Sequence, residues 1–215
     1  MTRPLVPHPA TLSQRREAGV DRERVAELVR ELLIAAGEDP DREGLRRTPE
    51  RVAQTWAELL SGVGQDAAAT LDGVIQVADA DADGPSASGV VLMRDIRFRS
   101  MCEHHLLPFA GRAHIAYLPG ADIVGFGSIV RVVETVAGRP HVQERLGEEV
   151  ATTIVSALAP LGVLVVLDAV HHCVTMRSSA QPFSSTLTIA ARGVYTDPAA
   201  RAEIISLITA RCNED

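Results

Sequence analysis

Cys102-Glu103-His104-His105 and, far downstream, His171-His172-Cys173 can serve one metal ion only if two remote stretches of backbone meet. That requirement constrains the fold of this 215-residue chain more than any other feature of it. Three protein ligands leave a coordination position for water, and water on zinc ionises near neutral pH, whereas a four-ligand site only braces a fold. The pattern predicts an open zinc (Zn2+) site and hydrolytic chemistry.

The flanking sequence places these residues. Segments 90–98 and 113–118 read as strands, so the 102–109 connection between them is a turn. Segment 163–174 is β-rich and almost continuously apolar, which predicts a buried strand, with 185–194 as its hairpin partner. Alternate residues of a strand share a face, so His171 and Cys173 point one way and His172 the other. Around the turn, Cys102 and His105 converge as other C-x2-H pairs do. The candidate ligands are Cys102, His105 and Cys173, with His104 and His171 as acid/base candidates. Taken singly, a Cys on a buried strand is most often a small apolar residue, and spacing alone does not bring the two clusters together.

Between the strand pairs, 128–137 and 142–158 read as helices. In the second, Val142, Leu146, Val150, Ile154 and Leu158 recur every four residues and stack on one face. The order β-β-α-α-β-β predicts an α+β sheet with helices on one face, and Asp197-Pro198 opens a final helix. Upstream, Val25, Leu28 and Leu32 mark one helix; Thr48 as N-cap and Pro49 at the first helical position mark another. These two form an N-terminal antiparallel pair. The expected organisation is a mobile arm at 1–20, a helical segment at 21–75, a flexible loop at 76–89 rich in Asp, Ala, Gly and Ser, and a catalytic domain at 90–215.

A formal charge of −7 argues against a general binder of nucleic acid or membrane surfaces, so an anionic substrate must meet a local cationic cluster. No apolar run approaches the roughly 18 residues of a spanning helix, and the N-terminus lacks the apolar core of a secretory signal, which predicts a cytoplasmic protein. Three cysteines at 102, 173 and 212 fit no disulfide framework; Cys212 reads as incidental. All 21 basic residues are arginine, which removes Schiff-base chemistry and lysine-dependent phosphate loops.

Longer motifs then carry a resemblance. Phe98-x-Ser100-x-Cys102-Glu103-His104-His105-Leu106-Leu107-Pro108-Phe109-x-Gly111, followed by His114-Ile115-x-Tyr117-x-Pro119, closely resembles the GTP cyclohydrolase I family. So do Arg139-Pro140-x-Val142-Gln143-Glu144-Arg145-Leu146, Ala169-x-His171-x-Cys173-x-x-Met176-Arg177 and Thr48-Pro49-x-Arg51-x-Ala53. The match runs in order from about residue 24 to 210.

The resemblance implies a tunnelling fold in which subunit sheets join into a barrel, a homo-oligomer of two stacked pentameric rings, and active sites between subunits. It implies that a guanine nucleotide, GTP, is hydrolysed at C8, formate leaves, and the ribose rearranges to give 7,8-dihydroneopterin triphosphate. Carried over by position, Cys102, His105 and Cys173 hold the zinc, and His104 and His171 move protons. Glu144 resembles the carboxylate that accepts from the guanine N1–H and 2-amino edge, with Gln143 beside it; outside that context an acid in a helix first turn simply suits the dipole. Arg131 and Arg177 match arginines that grip the triphosphate, for which ordinary surface charge is the plainer alternative. Ser128 stands beside Arg131 in the same phosphate-facing stretch, and Glu103 reads as structural support.

The chain departs from the family where substrate is handled. Gly125-Phe126-Gly127-Ser128-Ile129-Val130-Arg131 stands where the family reads Gly-Leu-Ser-Lys-x-x-Arg, so a hydroxyl and an ammonium are missing. After Arg177, Ser178-Ser179-Ala180-Gln181-Pro182 replaces Gly-Val-x-Lys-Pro, and His141 and Gly147 replace a glutamine and a small hydroxyl residue. Losing a charged phosphate contact commonly costs about 1.5–3 kcal/mol. These changes leave open a paralogue that takes a less phosphorylated guanine nucleotide or stops at a ring-opened product, and a catalytically silent assembly partner.

Overall fold

The computed structural model describes residues 19–76, 89–177 and 181–210. Most of the expected arm, residues 77–88 of the loop expected over 76–89, Ser178 to Ala180 and Cys212 lie outside the described residues. The chain divides into two compact units, Met1–Gln65 and Asp66–Asp215.

The first unit holds helices α1 (Arg22–Ala35) and α2 (Thr48–Leu59). Asp21 caps α1, its side chain accepting from the Arg24 N–H at 3.0 Å. The helix α2 starts one position earlier than expected. Arg47 occupies the N-cap and Thr48 is already helical, because the Thr48 N–H is bound by the Leu45 carbonyl of the preceding turn. A bidentate pair, Arg30 to both carboxylate oxygens of Asp41 at 2.9 and 2.7 Å, ties α1 to the connection between the helices.

The second unit is built on a sheet of order β5-β2-β3-β6-β7: β2 (Val91–Cys102), β3 (Pro108–Leu118), β5 (Pro140–His141), β6 (Gly162–His171) and β7 (Thr186–Gly193). The pairs β2/β3, β3/β6 and β6/β7 are antiparallel, and the short β5 runs parallel to β2. A separate two-residue pair joins β1 (Ile75–Gln76) to β4 (Asp122–Ile123). Helices α3 (Phe126–Ala137) and α4 (Gln143–Leu158) cover one face. Leu146, Val150, Ile154 and Leu158 of α4 are all buried there with Ile129, Val132, Val133 and Val136 of α3. Each fully buried aliphatic contributes roughly 1.5–3 kcal/mol, which fixes where α4 presents its first turn. The expected α+β arrangement, a largely antiparallel sheet with α3 and α4 on one face, is present. Ala67 and Leu71 belong to the same core, so the segment from Asp66 onward packs with the sheet rather than with the helical pair.

The last helix, α6 (Pro198–Thr209), lies on the opposite face of the sheet, where Ile204 and Ile208 join Ala116, Leu164 and Val166. Asp197 caps it by accepting from the Ala199 and Ala200 N–H groups. Among the described residues no helix is long and apolar enough to cross a membrane.

One expectation fails in a useful way. The strand over 163–174 stops at His171, and His172–Thr175 forms a short helical turn, α5. The partner strand β3 begins at Pro108, which has no N–H to continue the ladder beyond the Phe109 and His171 pair. Cys173 therefore reaches the site from a turn, and the alternation argument does not apply to it.

Candidate metal and acid/base site

Cys102 ends β2, and the next five residues turn back into β3. The Cys102 N–H binds the Leu107 carbonyl at 2.9 Å and the Leu106 N–H binds the Cys102 carbonyl at 2.8 Å. Closing so tight a tip drives Leu106 to a φ of 52°, a conformation that a non-glycine residue adopts only where its surroundings enforce it. The tip swings His105 back over Cys102, with Nδ1 3.8 Å from Sγ. Cys173 on α5 completes a triangle in which all three ligand atoms lie within 4.8 Å of one another. Sulfur and nitrogen on one tetrahedral zinc ion sit about 3.6 Å apart, so this group needs little adjustment to hold a metal.

The thiols are set up for the same purpose. Burial first, and the Cys102 sulfur beside it second, push the Cys173 thiol up from its ordinary range. A thiol raised in this way gives up its proton more readily when a cation takes its place. Arg177 donates from Nη1 to His105 Nε2 at 2.9 Å, so that nitrogen is the acceptor and Nδ1 carries the proton.

His171, the last residue of β6, is held on two sides. Its ring stacks on Phe109 with centroids 4.5 Å apart and planes 6° from parallel. Its Nε2 lies 2.7 Å from Gln143 Oε1. The Gln143 amide orientation is unambiguous because its Nε2 donates to the Leu167 and Thr186 carbonyls, at 3.0 and 2.8 Å, and to Thr188 Oγ1. Oε1 must then accept, which places the His171 proton on Nε2 and leaves Nδ1 as the free lone pair. Desolvation lowers the pKa of His171, partly opposed by the negative charge of Glu144, so the ring is neutral at pH 7.

Residues 25–209 match the family model described as GTP cyclohydrolase I. The chain belongs to the GTP cyclohydrolase I family. The protein named GTP cyclohydrolase 1 from Leifsonia xyli subsp. xyli is 50% identical over 190 residues, which is 88% of this chain and 96% of that one. The Rhodopirellula baltica protein of the same name is 51% identical over 88% of this chain and 80% of its own. The Bacillus subtilis one is 45% identical over 88% and 96%. Among solved structures, an archaeosine synthase QueF-Like in the apo form aligns with a TM-score of 0.42 at 16% identity, over 50% of this chain and 97% of that one.

Within this GTP cyclohydrolase I chain the remaining candidates fall into two places. Glu144 is exposed in the first turn of α4, close enough to His171 to act on its charge. Gln143 is 1% exposed, its side chain wholly engaged with its own subunit. His104 is exposed on the tip, its Nε2 3.9 Å from Glu103 Oε1, and Glu103 in turn accepts from Arg145 at 2.7 Å. Ser128 and Arg131 form a separate group on α3, bound to Asp72. Among the described residues no hydrogen bond or ion pair joins that group to the metal triangle.

Two supporting contacts are not apparent from the sequence: those of His141, visible there only as a departure from the family pattern, and those of Asp72. His141 is buried with Nδ1 3.1 Å from the Val142 carbonyl and Nε2 3.1 Å from Glu149, which also accepts from Arg139. That cluster fixes β5 against the end of β2, pairing His141 with Cys102. Asp72 is the second; nothing in its neighbourhood of sequence marks it, because its partners lie 56 and 59 residues away.

Proposed function

We propose that this protein hydrolyses the imidazole ring of GTP at C8, releases formate and forms 7,8-dihydroneopterin triphosphate. The convergence of Cys102, His105 and Cys173 within 4.8 Å carries the reading. These three side chains would hold zinc, which when bound supplies a Lewis acid and a water acidic enough to ionise near neutral pH.

The chain's own residues do the rest. His171, neutral and anchored through Nε2–H, offers Nδ1 to take and return a proton. Gln143 positions it rather than touching substrate. His104, exposed on the tip beside Glu103, is the second proton carrier. Glu144 receives the guanine N1–H and 2-amino group, two donors for two carboxylate oxygens. Were His105 to hold the metal through Nδ1, its Nε2 would carry the proton and could no longer accept from Arg177, whose guanidinium would be free for phosphate oxygens.

Ser128 and Arg131 serve the phosphates from a neighbouring copy. This reading follows from their separation from the metal triangle within one chain and from the homodecamer of two pentamers that the family resemblance implies. The cytoplasm is the assigned compartment, since the three ligands must include free thiols. The test is direct: metal-loaded protein given GTP yields formate and a dihydropterin triphosphate by mass, both lost on chelation and regained with zinc. Folded, zinc-replete protein that releases no formate from GTP overturns the reading.

A further inference from the structure

The exposed side chain of Arg131 is already occupied by a carboxylate of its own chain. Asp72 follows a short 3-10 turn (Ala68–Thr70) whose exit is pinned by buried Leu71. Arg131 Nη2 is in close contact with Asp72 Oδ1, and donates to Ser128 Oγ at 2.9 Å and toward the Thr70 carbonyl at 3.3 Å. Ser128, 4% exposed, donates in its turn to Asp72, with Oδ1 at 3.0 Å and the carbonyl at 3.1 Å. The hydroxyl thus has both roles filled, accepting from the arginine and donating to the aspartate.

From these contacts we propose that Asp72 is a specificity-determining residue, an internal carboxylate that competes with substrate phosphate for Arg131. The inference rests on the reading that Arg131 grips the phosphates. The inner edge of the group is built: Ser128 is buried, and the Thr70 carbonyl belongs to a turn held on either side by buried Ala67 and Leu71. The outer edge is open, with the Asp72 side chain 72% exposed and that of Arg131 46% exposed. An ion pair exposed to this degree is weak and easily exchanged, so it does not lock the arginine. A polyanion arriving at the guanidinium meets a like charge on the same nitrogen, and one of the two anions must leave. A chain of phosphates carrying several charges displaces one carboxylate; an anion of lower charge does so less readily. Asp72 in this way sets how much negative charge a nucleotide must bring before Arg131 engages it.

The experiment uses the zinc-loaded, assembled enzyme and two probes: GTP as substrate and inorganic tripolyphosphate as inhibitor. Asp72→Asn keeps an acceptor for Ser128 and Arg131 while removing the charge. It is expected to lower KM for GTP and Ki for tripolyphosphate by about 3- to 30-fold, with kcat changing by less, and the gain should shrink as salt is raised. In an Arg131→Met background the same change should do nothing. Asp72→Ala reports the same loss of charge without the amide, and thermal melts of each variant confirm folding. Unchanged or raised KM and Ki in both folded Asp72 variants overturn the proposal while leaving the phosphate role of Arg131 standing. If Arg131→Met alone leaves Ki for tripolyphosphate unchanged, Arg131 is no phosphate contact and both ideas fall.

Discussion

His171 Nε2 donates to Gln143 Oε1 across 2.7 Å, joining the end of β6 to the first turn of α4 and fixing which imidazole nitrogen keeps its lone pair. Because the other end of the amide is held by three acceptors, the glutamine cannot flip, and the proton on His171 stays where it is.

Gln143→Leu removes this anchor and leaves the His171 Nε2–H without its acceptor. Burying unpaired polar groups costs about 1–3 kcal/mol, which a urea titration reads. A mis-set general base commonly loses about 10²-fold or more in rate, so kcat should fall by that order while KM for GTP moves little. Equal losses in KM and kcat would assign Gln143 to substrate instead.

Cys173→Ser and Cys102→Ser should each abolish stoichiometric metal in elemental analysis and reduce formate release at least about 10²-fold. The raised thiol of Cys173 adds a pH dependence. Since protons and cation compete for the same sulfurs, apparent metal affinity should rise with pH between about 6 and 8, and protons should be released on loading in weakly buffered solution. A pH-independent affinity would contradict this.

Gly111 sits opposite Ala169 where β3 and β6 approach closely, and a Cβ there would fall 2.0 Å from the Asp168 carbonyl oxygen. No rotamer relieves a clash with backbone. Gly111→Ala should therefore cost about 2–3 kcal/mol or more and shift the Phe109 and His171 stack two residues away, measurable as a lowered melting temperature together with lost activity.

His114 predicts how stability follows pH. It is buried on the α6 face of the sheet, and its Nδ1 accepts from the Asp95 N–H at 3.3 Å. Desolvation lowers its pKa; Asp95 and Asp168 oppose this and Arg112 and Arg94 add to it. The unfolded ring takes a proton near pH 6.5 and the folded one only lower, so the neutral form's contribution is full above about 6.5 and is lost as pH falls from there to the folded pKa. Unfolding free energy should decline over that window by up to about 1.4 kcal/mol per pH unit from this residue. His114→Gln should flatten that part of the curve, and an unchanged slope would refute the assignment.

The hairpin tip and the four-residue repeat of α4 were legible because each is a local pattern. Cys102 and His105 share one turn, and Leu146, Val150, Ile154 and Leu158 share one helical face. The end of β6 was not legible, since its apolar run continues to Val174 and only the pairing with a strand that starts at a proline stops it. The three candidate side chains still converge, because α5 carries Cys173 to within reach of Cys102 and His105. The Asp72, Ser128 and Arg131 group was only half visible. A serine and an arginine three apart on a helix announce an adjacent pair, but their anion comes from a segment before β2 that nothing in the sequence aligns with them.

At the far border of the sheet, β7 pairs among the described residues with β6 alone, and Leu187 and Ile189 stand half-open to water. Such a margin is adhesive in both backbone and side chain. In the ring assembly proposed above, this margin is where a second copy would pair, and dilution below the association threshold should then cost stability and turnover together.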